Sequence, residues 1–284
     1  MLKSLATITV TLAFSFILLT ATRAKADDPM DFWVVSKADL TRAFDTTTNW
    51  NLVITQEPHN FLGDLHFCFV HDGEAVCSLV CAPSGVALGD YPTCVTNGSD
   101  TAFNMLVWVS TFRSIGRAKA NLVVADVARS KKSLSRLPDG LVIWAFHRQS
   151  DSFERIFSAV QDIDFKSTQN GRSEDEIRFI SSGPLAGDVV LDRAASFWPY
   201  RYEIVVYQLL SSERYVKVLD YLGKATEGDK NALWPIDAEM PEIEKRLGYW
   251  EPGDPLPVSP KAASPECKTP VRLQDGLAWC DGSQ

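Results

Sequence analysis

The residues of this chain best equipped for chemistry are six cysteines, four histidines and a set of scattered carboxylates. The cysteines are Cys68, Cys77, Cys81, Cys94, Cys267 and Cys280, an even count that suits an oxidising compartment. One pairing follows from local geometry. Asp72-Gly73 lies between two apolar runs, the pattern of a two-residue type I′ hairpin. Counting outward, His71 faces Glu74, Val70 faces Ala75, Phe69 faces Val76 and Cys68 faces Cys77. Alternation puts the two cysteines on a non-hydrogen-bonded pair, where Cα atoms approach to roughly 4.5 Å, within reach of a disulfide. Proximity then joins Cys81 to Cys94 around a Pro/Gly loop, and Cys267 to Cys280 across the tail. The competing reading is a soft-metal site built from Cys77, Cys81, His66 and His71. A disulfide takes its thiolates away, and strand alternation sends His66 and His71 to opposite faces.

Other catalytic sets are thin. A nucleophilic triad needs a base beside a Ser or Cys, yet three of the four histidines crowd the Cys-rich region and no Gly-x-Ser-x-Gly turn occurs. No glycine-rich phosphate loop is present, so nothing requires a nucleotide or any other cofactor. Asp162-Ile163-Asp164 and Glu227-Gly228-Asp229-Lys230-Asn231 have oxygen ligands but not the ordered spacing of a calcium loop, and read as solvated turns. Asp126 and Asp192 occupy the same place in two related stretches. With Glu203 they are the first carboxylates to consider for glycan hydrolysis, although a position reused in two stretches more simply makes a shared structural contact. The densest aromatic passage is Phe197-Trp198-Pro199-Tyr200-Arg201-Tyr202. Trp, Tyr and Arg are the types enriched at binding hot spots, so Trp198, Tyr200, Arg201 and Tyr202 are the expected binding residues. Trp234-Pro235-Ile236-Asp237 is a second aromatic candidate for that surface.

The elements that carry these residues read as β. Three related lines recur: Asn51 to Thr55, Asn121 to Ala128 and Asp188 to Ala194. A hairpin-like pair of strands follows each: His66 to Val70 with Ala75 to Val80, Leu141 to Arg148 with Phe153 to Val160, and Tyr202 to Leu210 with Tyr215 to Leu222. β-Branched and aromatic residues dominate these runs. The expected fold is therefore mainly β. Three repeated hairpin units, about 50–100, 101–165 and 166–235, would form a sandwich or a curved multi-sheet assembly, with a propeller-like arrangement as the alternative. Two short helices flank them. Ser36-Lys37-Ala38-Asp39 reads as a capping box opening Leu40 to Phe44, and Asp237 to Leu247 reads as a helix closed by Gly248. The chain would thus divide into a repeated β domain over 27–250 and a proline-rich linker with a disulfide-clipped tail over 251–284.

Residues 1–26 read as a secretory signal peptide: Met1-Leu2-Lys3, an apolar run from Leu5 to Ala21, and the small-x-small pattern Ala24-Lys25-Ala26. Arg23 and Lys25 keep an uncleaved anchor as the alternative. Cleavage would leave 25 basic against 36 acidic groups, a formal charge of −11. That balance argues against nucleic acid and anionic membrane surfaces, both of which reward clustered Lys and Arg. Arg129-Ser130-Lys131-Lys132 with Arg136 is the nearest approach to such a cluster. Asn97-Gly98-Ser99 fits an N-glycosylation acceptor. Together these features describe a periplasmic or secreted, disulfide-stabilised protein without a membrane span after signal removal. Its expected role is recognition of another exported protein or of an envelope glycan, and a secreted carboxylate-dependent glycan hydrolase is the alternative.

Overall fold

A computed structural model of the chain describes residues 33–56, 65–79, 104–130, 140–160, 176–194, 201–211, 214–226, 230–257, 267 and 270–281. Within these residues the protein is mainly β, with four antiparallel sheets, two short helices and no sheet closed into a barrel. Sheet 1 is the meander β1 (Trp33–Asp39), β2 (Trp50–Gln56), β3 (Leu65–His71) and β4 (Glu74–Leu79). Sheet 2 continues with β5 (Asn104–Ile115), β6 (Ala120–Ser130), β7 (Gly140–His147) and β8 (Ser152–Val160). Sheet 3 comprises β9 (Glu176–Phe179), β10 (Val189–Ala194), β11 (Arg201–Leu209) and β12 (Tyr215–Thr226), and sheet 4 is the hairpin β13 (Arg272–Gln274) with β14 (Leu277–Trp279).

Alternation along the strands builds the layers, because successive side chains leave a strand on opposite faces. On β6, Val123, Ala125 and Val127 join Leu52, Ile54, Phe67 and Phe69 in the core between sheets 1 and 2. Their neighbours Leu122 and Val124 join Val189, Val205 and Tyr207 between sheets 2 and 3. The other face of sheet 3 supplies Val190, Ile204 and Val206 to a third core closed by Ile236, Met240 and Ile243 of α2 (Pro235–Arg246). A smaller cluster of Ala238, Leu277, Ala278 and Cys280 seats sheet 4 on α2. Strand β7 is therefore apolar on both faces, Leu141 to Phe146 being an unbroken buried run, and β6 packs apolar side chains on both faces apart from Asp126.

The three expected strand pairs form in the expected places. Cys68 pairs with Cys77, Phe69 with Val76, Val70 with Ala75 and His71 with Glu74. The turn residues Asp72 and Gly73 have φ of +47° and +88°, as a type I′ turn demands. The Cys68–Cys77 disulfide closes this hairpin with Cα atoms 4.0 Å apart, and Cys267–Cys280 clips the tail. Cys81 and Cys94 lie outside the described residues. Leu141 to His147 pairs with β8 and Tyr202 to Leu209 with β12. The three related sequence lines fall on β2, β6 and β10, each the second strand of its sheet. The sheets themselves begin one strand earlier than the expected first unit, since β1 precedes residue 50.

The first helix spans Leu40–Phe44 as expected, but its cap and the start of the second helix differ from expectation. Ser36 does not open a helix; it lies within β1, and Asp39 is the cap of α1 (Leu40–Phe44), its carboxylate accepting the Thr41 N–H at 2.9 Å. Pairing with β2 holds residues 33–39 extended and overrides the local capping pattern. α2 starts two residues before the expected Asp237, because Pro235 at the first position carries a preset helical φ. It ends at Arg246, one residue before the expected Leu247, which is its C-cap, and Gly248 follows at φ +76°. Among the described residues no helix is long and apolar enough to cross a membrane.

Candidate functional site

The same alternation that fills the cores leaves a cleft unfilled among the described residues. On β5, Val107 and Val109 point to sheet 1, so Trp108, Ser110 and Phe112 point to the side of sheet 3. Register sets Trp108 opposite Asp126, Ser110 opposite Val124 and Phe112 opposite Leu122. Sheet 3 does not cover this face completely. Its edge strand β9 lies against β7, leaving β6 and β5 as a floor in front of β9. The resulting cleft holds about 430 Å³, and Glu176, Ile177, Arg178, Phe179 and Ser181 form its wall.

Two floor residues stand out energetically. Trp108 is 53 % exposed although it carries the largest side chain on the strand. Asp126 sits across from it, and burial alone pushes its carboxyl up to about 6. Among the described residues no hydrogen bond or ion pair offsets that burial. A carboxyl in such a place costs the fold stability without contributing a contact to it.

The wall is braced from behind. Ile177 belongs to the core facing sheet 2, so alternation sends Glu176 and Arg178 to the face toward α2. There Arg178 bridges Glu176, Nε to Oε1 at 2.6 Å, and both carboxylate oxygens of Asp237 in the first turn of α2. Burial pushes Glu176 up to about 7 against the pull of the Arg178 charge, with Asp237 adding to the rise. Burial raises Asp237 too, again against Arg178. Burial also works against the Arg178 charge, but the two carboxylates outweigh it and hold the guanidinium protonated. One oxygen of Glu176, Oε2, is buried with no hydrogen-bond partner. Further along α2, Glu239 accepts the N–H groups of Lys224 and Ala225 and the Tyr221 hydroxyl at 2.9 Å. Gly223 permits that approach, since a Cβ there would lie 2.8 Å from Glu239 Oε1.

The carboxylates first considered for hydrolysis are not brought together. Asp126 faces sheet 3 from the floor, whereas Asp192 lies on the far face of sheet 3, where its Oδ1 accepts the Glu176 N–H. Glu203 stands beside Arg193, 3.6 Å away. Of the expected binding residues, Trp198 and Tyr200 lie outside the described residues. Arg201 is exposed at the start of β11 and donates to the Gly223 carbonyl at 2.8 and 3.2 Å. Tyr202 is 6 % exposed and packs in the core under α2. Trp234 caps α2, and Asp237 is taken up by Arg178. Of the thiols and imidazoles weighed for a metal, Cys77 is spent in its disulfide. His71 stacks on Trp50, ring centroids 4.4 Å apart.

Compared with known protein families, with curated proteins and with solved structures, the chain matches none.

Proposed function

We propose that this chain is an exported, disulfide-stabilised recognition protein that binds another exported protein or an envelope component and does not transform it. The cleft over β5 and β6 is its ligand seat. The observation that carries this reading is the pairing of an exposed Trp108 with a desolvated, partnerless Asp126. An apolar platform beside one polar handle is the composition of a ligand site, and the fold makes no use of either group. A signal peptide over 1–26 and a Cys81–Cys94 bridge belong to the same reading; two disulfides in a β-rich chain are compatible with export. The placement of the three related lines on second strands supports reading sheets 1 to 3 as copies of one unit. The passage Trp198 to Arg201 is kept as a second contact surface.

The test is recovery of ligands from an extracellular or envelope extract, and from an array of envelope glycans, by the mature chain. Wild type, Trp108→Ala and a Trp198→Ala, Tyr200→Ala variant are compared. Loss of a ligand at least tenfold with Trp108→Ala, at unchanged melting temperature, supports the cleft. Loss confined to the double variant moves the seat to the second surface. Equal recovery by all three proteins refutes both.

A further inference from the structure

The wall of the cleft is a strand with one side unpaired. β9 ends the order of sheet 3, and among the described residues no strand lies on its outer side. The direction of its backbone groups follows from the ladder. Ile180 N–H donates to the Asp188 carbonyl at 2.9 Å, and the register pairs Arg178 with Val190 and Glu176 with Asp192. Antiparallel hydrogen bonding alternates residue by residue. The N–H and C=O groups of Ile177 and Phe179 therefore point away from β10, over the floor. A row of unmade backbone hydrogen bonds is a template for one more strand.

We propose that the ligand of this cleft is an extended peptide segment of a partner protein, bearing a lysine or arginine, which adds to β9 as the next strand of sheet 3. The inference rests on the cleft being the recognition site and specifies what that site takes. Three features fix the occupant. At the Trp108–Asp126 end of sheet 2, where β9 lies against β7, a strand at the usual spacing of about 4.8 Å from β9 would lie over β6 and β5, while nearer the β5–β6 turn Phe179 already covers Phe112. Its backbone would pair with Ile177 and Phe179, while alternate side chains would descend on the exposed Trp108 end of the floor. Among the described residues the floor carries a carboxyl and no cation, and the wall's Arg178 is taken up by Glu176 and Asp237, so a basic side chain is the complement. Its stem would lie on the Trp108 ring and its charge against Asp126, whose ionisation the new cation would restore. The Arg178 bridge to Asp237 fixes the edge before the ligand arrives, which reduces the ordering cost of binding. A glycan would use the aromatic platform but leave the backbone row unpaired.

The probe is a display library of random octapeptides panned against the mature chain. Synthetic versions of the enriched peptides are then titrated and followed by amide hydrogen exchange. Enriched sequences should alternate apolar residues and carry a Lys or Arg. N-methylating the peptide residue opposite β9 should weaken binding at least tenfold without touching any side chain. Exchange at the Ile177 and Phe179 amides should slow on binding, and Asp126→Asn should weaken the basic peptides about tenfold while sparing versions with norleucine in place of the base. Indifference to N-methylation, or protection appearing elsewhere, overturns the strand-addition mode. Chitooligosaccharides and peptidoglycan fragments are titrated in parallel. If these bind through Trp108 and no peptide is enriched, the peptide inference fails and the recognition cleft stands. If neither class depends on Trp108, both fail.

Discussion

Asp126→Asn isolates the energetic oddity of the floor. The amide matches the carboxyl in shape and stays neutral at every pH, so the variant reports the charge alone. Carrying the carboxyl from its ordinary 3.8 to about 6 costs the folded state about 3 kcal/mol once both states are ionised, at 1.36 kcal/mol per pH unit. The direction follows from proton counts. Between pH about 4 and about 6 the folded wild type holds a proton that the unfolded chain has lost, so its stability falls as pH rises through that window and levels off above it. The variant lacks this term. Urea unfolding with disulfides intact, at pH 3.5 and pH 8, should therefore show the two proteins within a few tenths of a kcal/mol in acid. At pH 8 the variant should lead by about 3 kcal/mol. A lead under 1 kcal/mol at pH 8, or one of the same size at both pH values, would refute the claim that Asp126 is a half-buried and uncompensated charge. With it would go the reason for regarding the floor as a place kept for a ligand.

Three other variants probe the frame. Replacing Cys68 and Cys77 together by serine opens a loop of sequence separation 9 and should cost about 2.5 kcal/mol by chain entropy; an unchanged urea midpoint would contradict the contribution assigned to that staple. Gly116 has φ +64°, and a Cβ there would lie 2.4 Å from the Ala186 carbonyl oxygen, whereas Gly183, at φ +78°, has open space around it. Gly116→Ala should cost at least about 2 kcal/mol and Gly183→Ala only about 1. Equal losses in melting temperature would show that the approach of the β5–β6 turn to the 183–187 turn is not tight.

The parts of the fold that could be read from sequence are those set by neighbours along the chain. Asp72-Gly73 dictated the turn, the turn dictated the register, and the register brought Cys68 to Cys77. The β-branched and aromatic runs of β7, β8, β11 and β12 announced themselves in the same way. The cleft did not, because its two sides are β5 and β9, neither of which stood out. β9 has only four residues, and Glu176 and Arg178 look like surface charges until α2 brings Asp237 to them across 59 positions. β5 did carry a usable sign: Trp108, Ser110 and Phe112 alternate with Val107, Val109 and Thr111, so one face of the strand is mixed aromatic and polar. Nothing local reveals that sheet 3 stops short of that face. The aromatic density at 197–202 pointed elsewhere, and its Tyr202 is largely accounted for by packing under α2.

A shared wall has a practical consequence. Sheets 1 and 3 are insulated from each other yet lean on the same two strands, β6 and β7, so neither can be dispensed with separately. A truncation beginning at Asn104 would keep every residue of the cleft while baring Trp144, Phe146 and Val142 to water on the reverse side. Trimming the protein to the part that holds the cleft should thus yield a sticky fragment rather than a well-folded one, and any rearrangement of these sheets would have to move them as a block.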